Sequence, residues 1–323
     1  MISNIQIPTY LWLLPIIVLF CLLSGSNSSW QILWDTVQWQ QVSQTVLELR
    51  LPRVIVAAMV GASLGIAGLL LQTVTGNRLA DPGIIGVNQG AALAVISAII
   101  WLPEITYLWL PLIGLTGGIV TAITLWWLCR GTASIALILT GIGLSSLLSA
   151  LIGCLMVLTE TQRLATIMTW LAGSFSSANE QTLINTIAWC LLLLPLAYLA
   201  CRQITPMLLD SDSATMLGSR TPWMESSCLL IACALCSVAV AAAGTLSFAG
   251  LLAPHLARKL HPPQPDKLAL PVLCYGAMLT MLADMLGRTL FAPIQIPAGL
   301  MLAIAGVPVF ILILLWQQRI RGH

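Results

Sequence analysis

Ten apolar runs separated by short polar segments set the pattern of this chain: about 10–24, 53–75, 84–102, 107–129, 134–158, 182–201, 225–244, 248–259, 268–290 and 298–316. A helix needs about 20 apolar residues to cross the hydrocarbon core of a bilayer. The eighth run is too short to cross alone, and short helices of that kind survive where protein rather than lipid surrounds their ends. The pattern predicts an all-α, polytopic membrane helix bundle of about ten transmembrane helices, one of them short or broken, forming a single domain over residues 1–323. The first run is short, but the segment before it lacks the positive flank and small-residue cleavage site of a signal peptide, so it reads as a spanning helix.

Small residues are placed periodically within the runs. Gly61, Gly65 and Gly68 fall on one side of the second span, where small residues let helix backbones approach closely. Gly141, Ser145, Ser149 and Gly153 recur every four residues along the fifth. Any one of them suits helix packing, and as a set they also suit the wall of a pathway for a polar solute.

The longest interruption in the second half is Arg202–Trp223. Asp210 and Ser211 are residue types that cap a helix N-terminus, Gly218 suits the left-handed position after a helix, and Pro206 and Pro222 bracket the segment. A short helix lying across the end of the bundle is expected there; the alternative is an ordinary surface turn.

Composition agrees. The chain is 59% apolar and 7% charged, against about 25% charged in soluble domains, which leaves no room for a sizeable soluble domain. The net charge of +2 gives no basis for a nucleic-acid partner. With an N-terminus in the cytoplasm, nine of the thirteen Lys and Arg residues fall in inside loops: Arg78, Arg130, Arg202, Arg220, Arg258, Lys259, Lys267, Arg319 and Arg321. Arg50, Arg53, Arg163 and Arg288 fall outside. The bias places both termini, and the Arg202–Trp223 loop, in the cytoplasm.

Several local patterns point elsewhere and are weaker. Gly61-Ala62-Ser63-Leu64-Gly65 matches G-x-S-x-G, but a nucleophile elbow needs a strand–turn–helix context, and Ser63 sits mid-helix with no histidine placed as its base. Cys233 and Cys236 form a C-x-x-C without a second ligand pair, so small buried side chains are expected and no metal site. His255 follows Pro254 and reads as structural. No Walker A pattern occurs. Asp284 is the one carboxylate well inside a span, with Arg288 one turn later as its expected partner; a proton-coupled carrier would show more buried ionisable groups.

Three segments resemble one family. Leu49–Ala92 contains L-R-L-P-R, G-x-x-L-x-x-x-G, Gln72 and L-A-D-P-G-I-I-G-V; Gly244–Leu260 reads GTLSFAGLLAPHLARKL; Ala283–Val309 contains A-D-x-x-x-R, P-x-G and G-x-P. Trp170–Ser174 and Leu217-Gly218 fit as well. The chain resembles the FecCD-type permeases, the membrane subunits of ABC importers for iron–siderophores, haem and vitamin B12. It departs from that pattern at Arg78, where the family usually has proline, and at Thr245 and Ser247, where it usually has proline and glycine.

The resemblance implies a transporter subunit that is not itself an enzyme, has no catalytic residues and binds no cofactor, with Mg-ATP on a partner. The implied partners are a second permease subunit, identical or not, two ATPase subunits inside, a periplasmic substrate-binding protein outside, and the bacterial cytoplasmic membrane around all of it. An iron–siderophore chelate is the expected cargo, with haem or vitamin B12 as alternatives. A carrier built on Asp284 and an intramembrane enzyme built on Ser63 are the rivals from other classes. Arg50, Arg53 and Arg288 are expected to dock the binding protein. Leu209, Asp210, Asp212, Met216, Leu217, Gly218 and Arg220 are expected to couple to the ATPase. The Gly131–Ser134 turn, with Thr132 and Ser134, is expected to gate a pathway lined by Gly141, Ser145 and Ser149.

Overall fold

The computed structural model describes residues 9–24, 45–83, 86–102, 109–129, 134–205 and 222–321. Among them are eleven α-helices and one π-helical turn: α1 Thr9–Leu23, the π-turn Thr45–Arg50, α2 Leu51–Val74, α3 Val87–Trp101, α4 Leu110–Leu128, α5 Ser134–Val157, α6 Thr161–Leu171, α7 Glu180–Ile204, α8 Pro222–Ala243, α9 Ala249–Leu260, α10 Pro265–Thr289 and α11 Ala298–Arg321. Each of the ten apolar runs coincides with one α-helix. Among the described residues, five helical stretches have the length and apolarity to cross a membrane: Val46–Val74, Leu139–Val157, Glu180–Ile204, Met224–Ala243 and Pro265–Thr289.

Two elements were not expected. α6 is an eleven-residue helix whose Leu164, Ile167, Met168 and Leu171 recur at helical spacing, a pattern too short to register as a span. The π-turn leads into α2 and ends on Arg50, directly before Pro52 in the first helical turn, where proline's missing N–H costs nothing. His255 lies inside α9, since Ala249 opens that helix and Pro254 is accommodated within it.

α2 is the hub. It packs against α10, α8, α7 and α9, and its glycine stripe is where the backbones come closest. A Cβ on Gly61 would run into the Gly276 carbonyl of α10, and a Cβ on Gly68 would run into the Gly250 carbonyl of α9. Between them, Gly65 faces Val272 and Ala253. Ser63 is fully buried in this packing and its Oγ lies 3.4 Å from Cys190 Sγ, so it has no catalytic surroundings. Cys233 and Cys236 are likewise buried, free thiols of α8.

Three chain segments meet at the end of the bundle where α6 and α8 finish and α11 begins. Ser174 N–H donates to Ala243 O (2.9 Å), Thr245 Oγ1 donates to Leu171 O (2.6 Å), and Gly299 N–H donates to Gly173 O (2.9 Å). Gly244, with φ of 74°, turns the chain out of α8 in a conformation that L-residues seldom adopt. A side chain there would strike the Trp170 carbonyl.

The close approaches predict a contrast. Gly68→Ala should lower the thermal unfolding midpoint of the purified protein, at a cost of about 1–3 kcal/mol for forced overpacking. Gly153→Ala, whose Cβ would meet nothing within 4 Å, should leave the midpoint unchanged or raise it. A Gly68→Ala protein as stable as its parent would refute the tight α2–α9 crossing.

Candidate functional site

The arginines expected at the outer mouth come together with Asp284. Arg53 embraces its carboxylate: Nε donates to Oδ1 and Oδ2 at 3.1 and 2.9 Å, and Nη2 donates to Oδ1 at 2.7 Å. Arg53 Nη1 also donates to Gln295 Oε1 at 3.2 Å. Arg288, the partner expected from helical spacing, lies 3.7 Å from Asp284 Oδ2 through Nε, too far for a hydrogen bond. Its Nη2 donates instead to the Cys21 carbonyl. Arg50 donates through Nη1 to Leu22 O (3.1 Å) and Leu23 O (3.3 Å).

Two arginines from different elements therefore cap the last carbonyls of α1. A helix C-terminus leaves such carbonyls without intrahelical partners and carries partial negative charge. Arg288 is only 6% exposed, whereas the Arg53 side chain is 15% exposed and stands at the edge of the cluster. Asp284 is enclosed by two guanidinium groups and is the anion of this cluster.

On the proposed pathway, Gly141 is buried, Ser145 half-buried and Ser149 exposed. The lower part of the stripe is a packing surface. Gly86, with φ of 89°, sits so that a Cβ would come within 3.4 Å of Ser145 Cα. Ser145 is eleven residues into α5, about 16 Å along the helix at 1.5 Å per residue. The loop between α2 and α3 thus reaches back along α5 before α3 begins. Non-helical backbone at such a place needs internal partners. Gln72 supplies them, donating through Nε2 to Ala80 O (3.2 Å) and Gly250 O (3.4 Å) while its Oε1 accepts from Arg258 Nη1 at 2.5 Å.

Higher on α5 the stripe opens, since Gly153 has no neighbour within 4 Å of its Cβ position. Ser134 is the first residue of α5, whereas Gly131 and Thr132 lie outside the described residues, as do Leu209, Asp210, Asp212, Met216, Leu217, Gly218 and Arg220.

Sequence reasoning passed over Asp81. It lies in the α2–α3 loop, is 6% exposed, and lines a cavity of about 330 Å³ with Gly83, Ser145, Ser247 and Phe248. Burial pushes its carboxyl up to about 6, while the Gly83 N–H, at 3.1 Å from Oδ2, pulls the other way. Because the folded value is the higher one, ionising Asp81 weakens the fold as pH rises from about 4 to 6. A larger cavity, about 530 Å³, lies behind α6. Several of its polar groups are engaged: Ser174 Oγ donates to Ser176 Oγ, and Asn179 Oδ1 accepts the Thr182 N–H as the α7 N-cap.

The ion cluster yields a prediction. Asp284→Ala should destabilise the protein by about 3–5 kcal/mol, the cost of leaving buried positive charge uncompensated. Glu160→Ala, which breaks a solvent-exposed pair with Arg163 at 3.7 Å, should cost less than about 1 kcal/mol. Thermal unfolding of both variants checks this, and equal shifts would contradict the assignment of Arg53 and Arg288 to Asp284.

The geometry now stands beside known proteins. The chain is similar to the achromobactin transport system permease protein of Dickeya dadantii, with 35% identity over 298 residues, 90% of this chain and 85% of that one. It is similar to the Fe(3+) dicitrate transport system permease protein of Escherichia coli, with 37% identity over 83% of this chain and 84% of the other. With the hemin transport system permease protein of Yersinia pestis it shares 32% identity over 96% of both chains. Among solved structures, an inward-facing metal-chelate-type ABC transporter matches with a TM-score of 0.80 and 27% identity, covering 95% of this chain and 98% of that one. The family model for FecCD transport proteins matches residues 13–316, and this chain is a member of the FecCD transport family.

Proposed function

We propose that this chain is a membrane permease subunit of an ABC importer for a ferric chelate of the iron–siderophore type. The reading rests on its family, and the observation in the fold that carries it is the uncovered face of α5. Leu139 is 71% exposed and Leu147 58% exposed, and Gly143, Ser146 and Ser149, between and just beyond them, are exposed as well. An uncovered helix surface on which large apolar and small or hydroxylated residues alternate suits a place beside a second permease subunit and a passage for solute.

In this reading the energy comes from two ATPase subunits on the cytoplasmic side. The segment holding Leu209–Arg220 transmits it, and a binding protein delivers the chelate on the periplasmic side of the cytoplasmic membrane. Both termini face the cytoplasm, following the Lys and Arg distribution. The Gly131–Ser134 turn closes the inner end of the passage. Arg53 is the docking arginine best placed to meet an acidic residue, because Asp284 holds its Nε and Nη2 and fixes the guanidinium while Nη1 lies on the exposed side, beside Gln295. Arg50 and Arg288 support it from behind by holding α1. Haem is the second reading for the cargo, favoured by the full-length similarity to the hemin permease.

Liposomes holding the complete transporter test the assignment. With ATP inside and the loaded binding protein outside, they should accumulate a ferric siderophore, and haem in excess should not compete. Arg53→Glu should slow docking, and docking to the parent should weaken as salt rises, since the Debye length is only about 8 Å at physiological ionic strength. Leu217→Asp and Gly218→Val should reduce association with the ATPase while insertion persists. Uptake indifferent to all three substitutions would reject these roles.

A further inference from the structure

Asp81 is a buried acid with one oxygen explained and one not. Its Oδ2 accepts the Gly83 N–H and so shapes the turn of the Leu79–Gly83 segment. Among the described residues Oδ1 makes no hydrogen bond and Asp81 has no ion pair. Charged or titratable groups stand on several sides without reaching it. Arg78 is in the same loop. Arg258, His255 and Lys259 lie further along α9, with Arg258 spent on Gln72. From α8 comes only the buried thiol of Cys236. α5 contributes no charged residue between Ser134 and Val157.

The nearest positive potential is the first turn of α9, where Oδ1 lies 2.8 Å from the Cβ position of Gly250. A helix N-terminus carries about half an elementary charge, which offsets only part of a carboxylate's burial cost. Phe248 opens that turn in the left-handed conformation, φ 67°, and its ring rests on Gly306 of α11. This holds Ser247 at the cavity wall.

The cavity supplies what a cation needs. Besides the free carboxylate oxygen, Ser145 and Ser247 line it, and neither hydroxyl makes a hydrogen bond among the described residues. Ser146 is different, since its Oγ already donates to Ile142 O at 2.9 Å. Nearby, Asn88 donates through Nδ2 to Leu246 O at 3.5 Å, and its buried Oδ1 has no partner. All of these are hard oxygen ligands, which suit alkali and alkaline-earth ions over thiophilic metals. A single carboxylate balances one positive charge, whereas divalent sites usually gather more. At about 30 Å³ per water, a cavity of about 330 Å³ has room for an ion that keeps part of its hydration shell.

We propose that this cavity is a binding site for one alkali-metal cation, held by the Asp81 carboxylate and the Ser145 and Ser247 hydroxyls. The ion neutralises Asp81 and ties together three elements that otherwise meet there through glycines and a cavity: the α2–α3 loop, α5 and the start of α9.

The test is direct ion binding to the complete purified transporter in nanodiscs, with radioactive sodium as the probe. The parent should bind sodium saturably at one ion per copy of this chain, potassium should compete, and N-methylglucamine should not. Asp81→Asn should weaken binding by at least about tenfold, a change of about 1.4 kcal/mol or more. Ser145→Ala and Ser247→Ala should each weaken it several-fold, and they keep the proposal testable if Asp81→Asn disturbs the loop. No saturable sodium binding by a parent complex that still hydrolyses ATP would overturn the proposal, as would undiminished binding in all three variants. Because the readout is the ion and not the chelate, failure of this site leaves the transport reading standing, and failure of chelate uptake leaves this site standing.

Discussion

The distance between backbones around α2 governs this molecule. Gly61 and Gly68 let α10 and α9 approach until carbonyl groups occupy the space a side chain would need. In a bilayer the lipid tails are as apolar as leucine, so helices gain little from hiding apolar surface and much from dispersion at short range. Everything that positions a functional side chain hangs on that approach. α10 carries Asp284 and Arg288 to the base of α1, and α9 brings Ser247 and Gly250 to Asp81. Loosening the crossing would displace both ends of the bundle together.

Much of the fold was legible because apolar runs and helices share a length scale. All ten runs became helices, including the short eighth, whose twelve residues are enclosed by α2, α10 and α11. The glycine stripe was legible for the same reason, since a missing side chain at helical spacing has few other uses. α6 was missed because eleven residues fall below the length at which hydropathy distinguishes a span from a loop.

The candidate sites were less legible, since their partners are distant in sequence. Helical spacing pairs Asp284 with Arg288, yet the carboxylate is embraced by Arg53, 231 positions away. Nor could spacing reveal that Arg50 and Arg288 serve the carbonyls of α1. Asp81 was visible only as part of a motif, and a turn-forming aspartate before proline needs no further explanation. Only its burial beside an open cavity separates it from an ordinary turn. The Gly141–Gly153 stripe shows the reverse limit. One spacing serves packing at Ser145 and open surface at Gly153, and the sequence holds nothing to divide the two.

The fastening of α1 has a consequence for biogenesis. Its outer face presents Trp12, Ile16 and Leu19, and its inner face is pinned at both ends by later parts of the chain. At one end Tyr10 stacks edge-on against His261 and Tyr275; at the other, Arg50 and Arg288 hold the final carbonyls. α1 therefore acquires most of its native partners only after α10 has been synthesised. Until then α1 is held beside α2 by Arg50 and by a small direct contact with α2 and the π-turn, and the arrival of α10 completes its fastening.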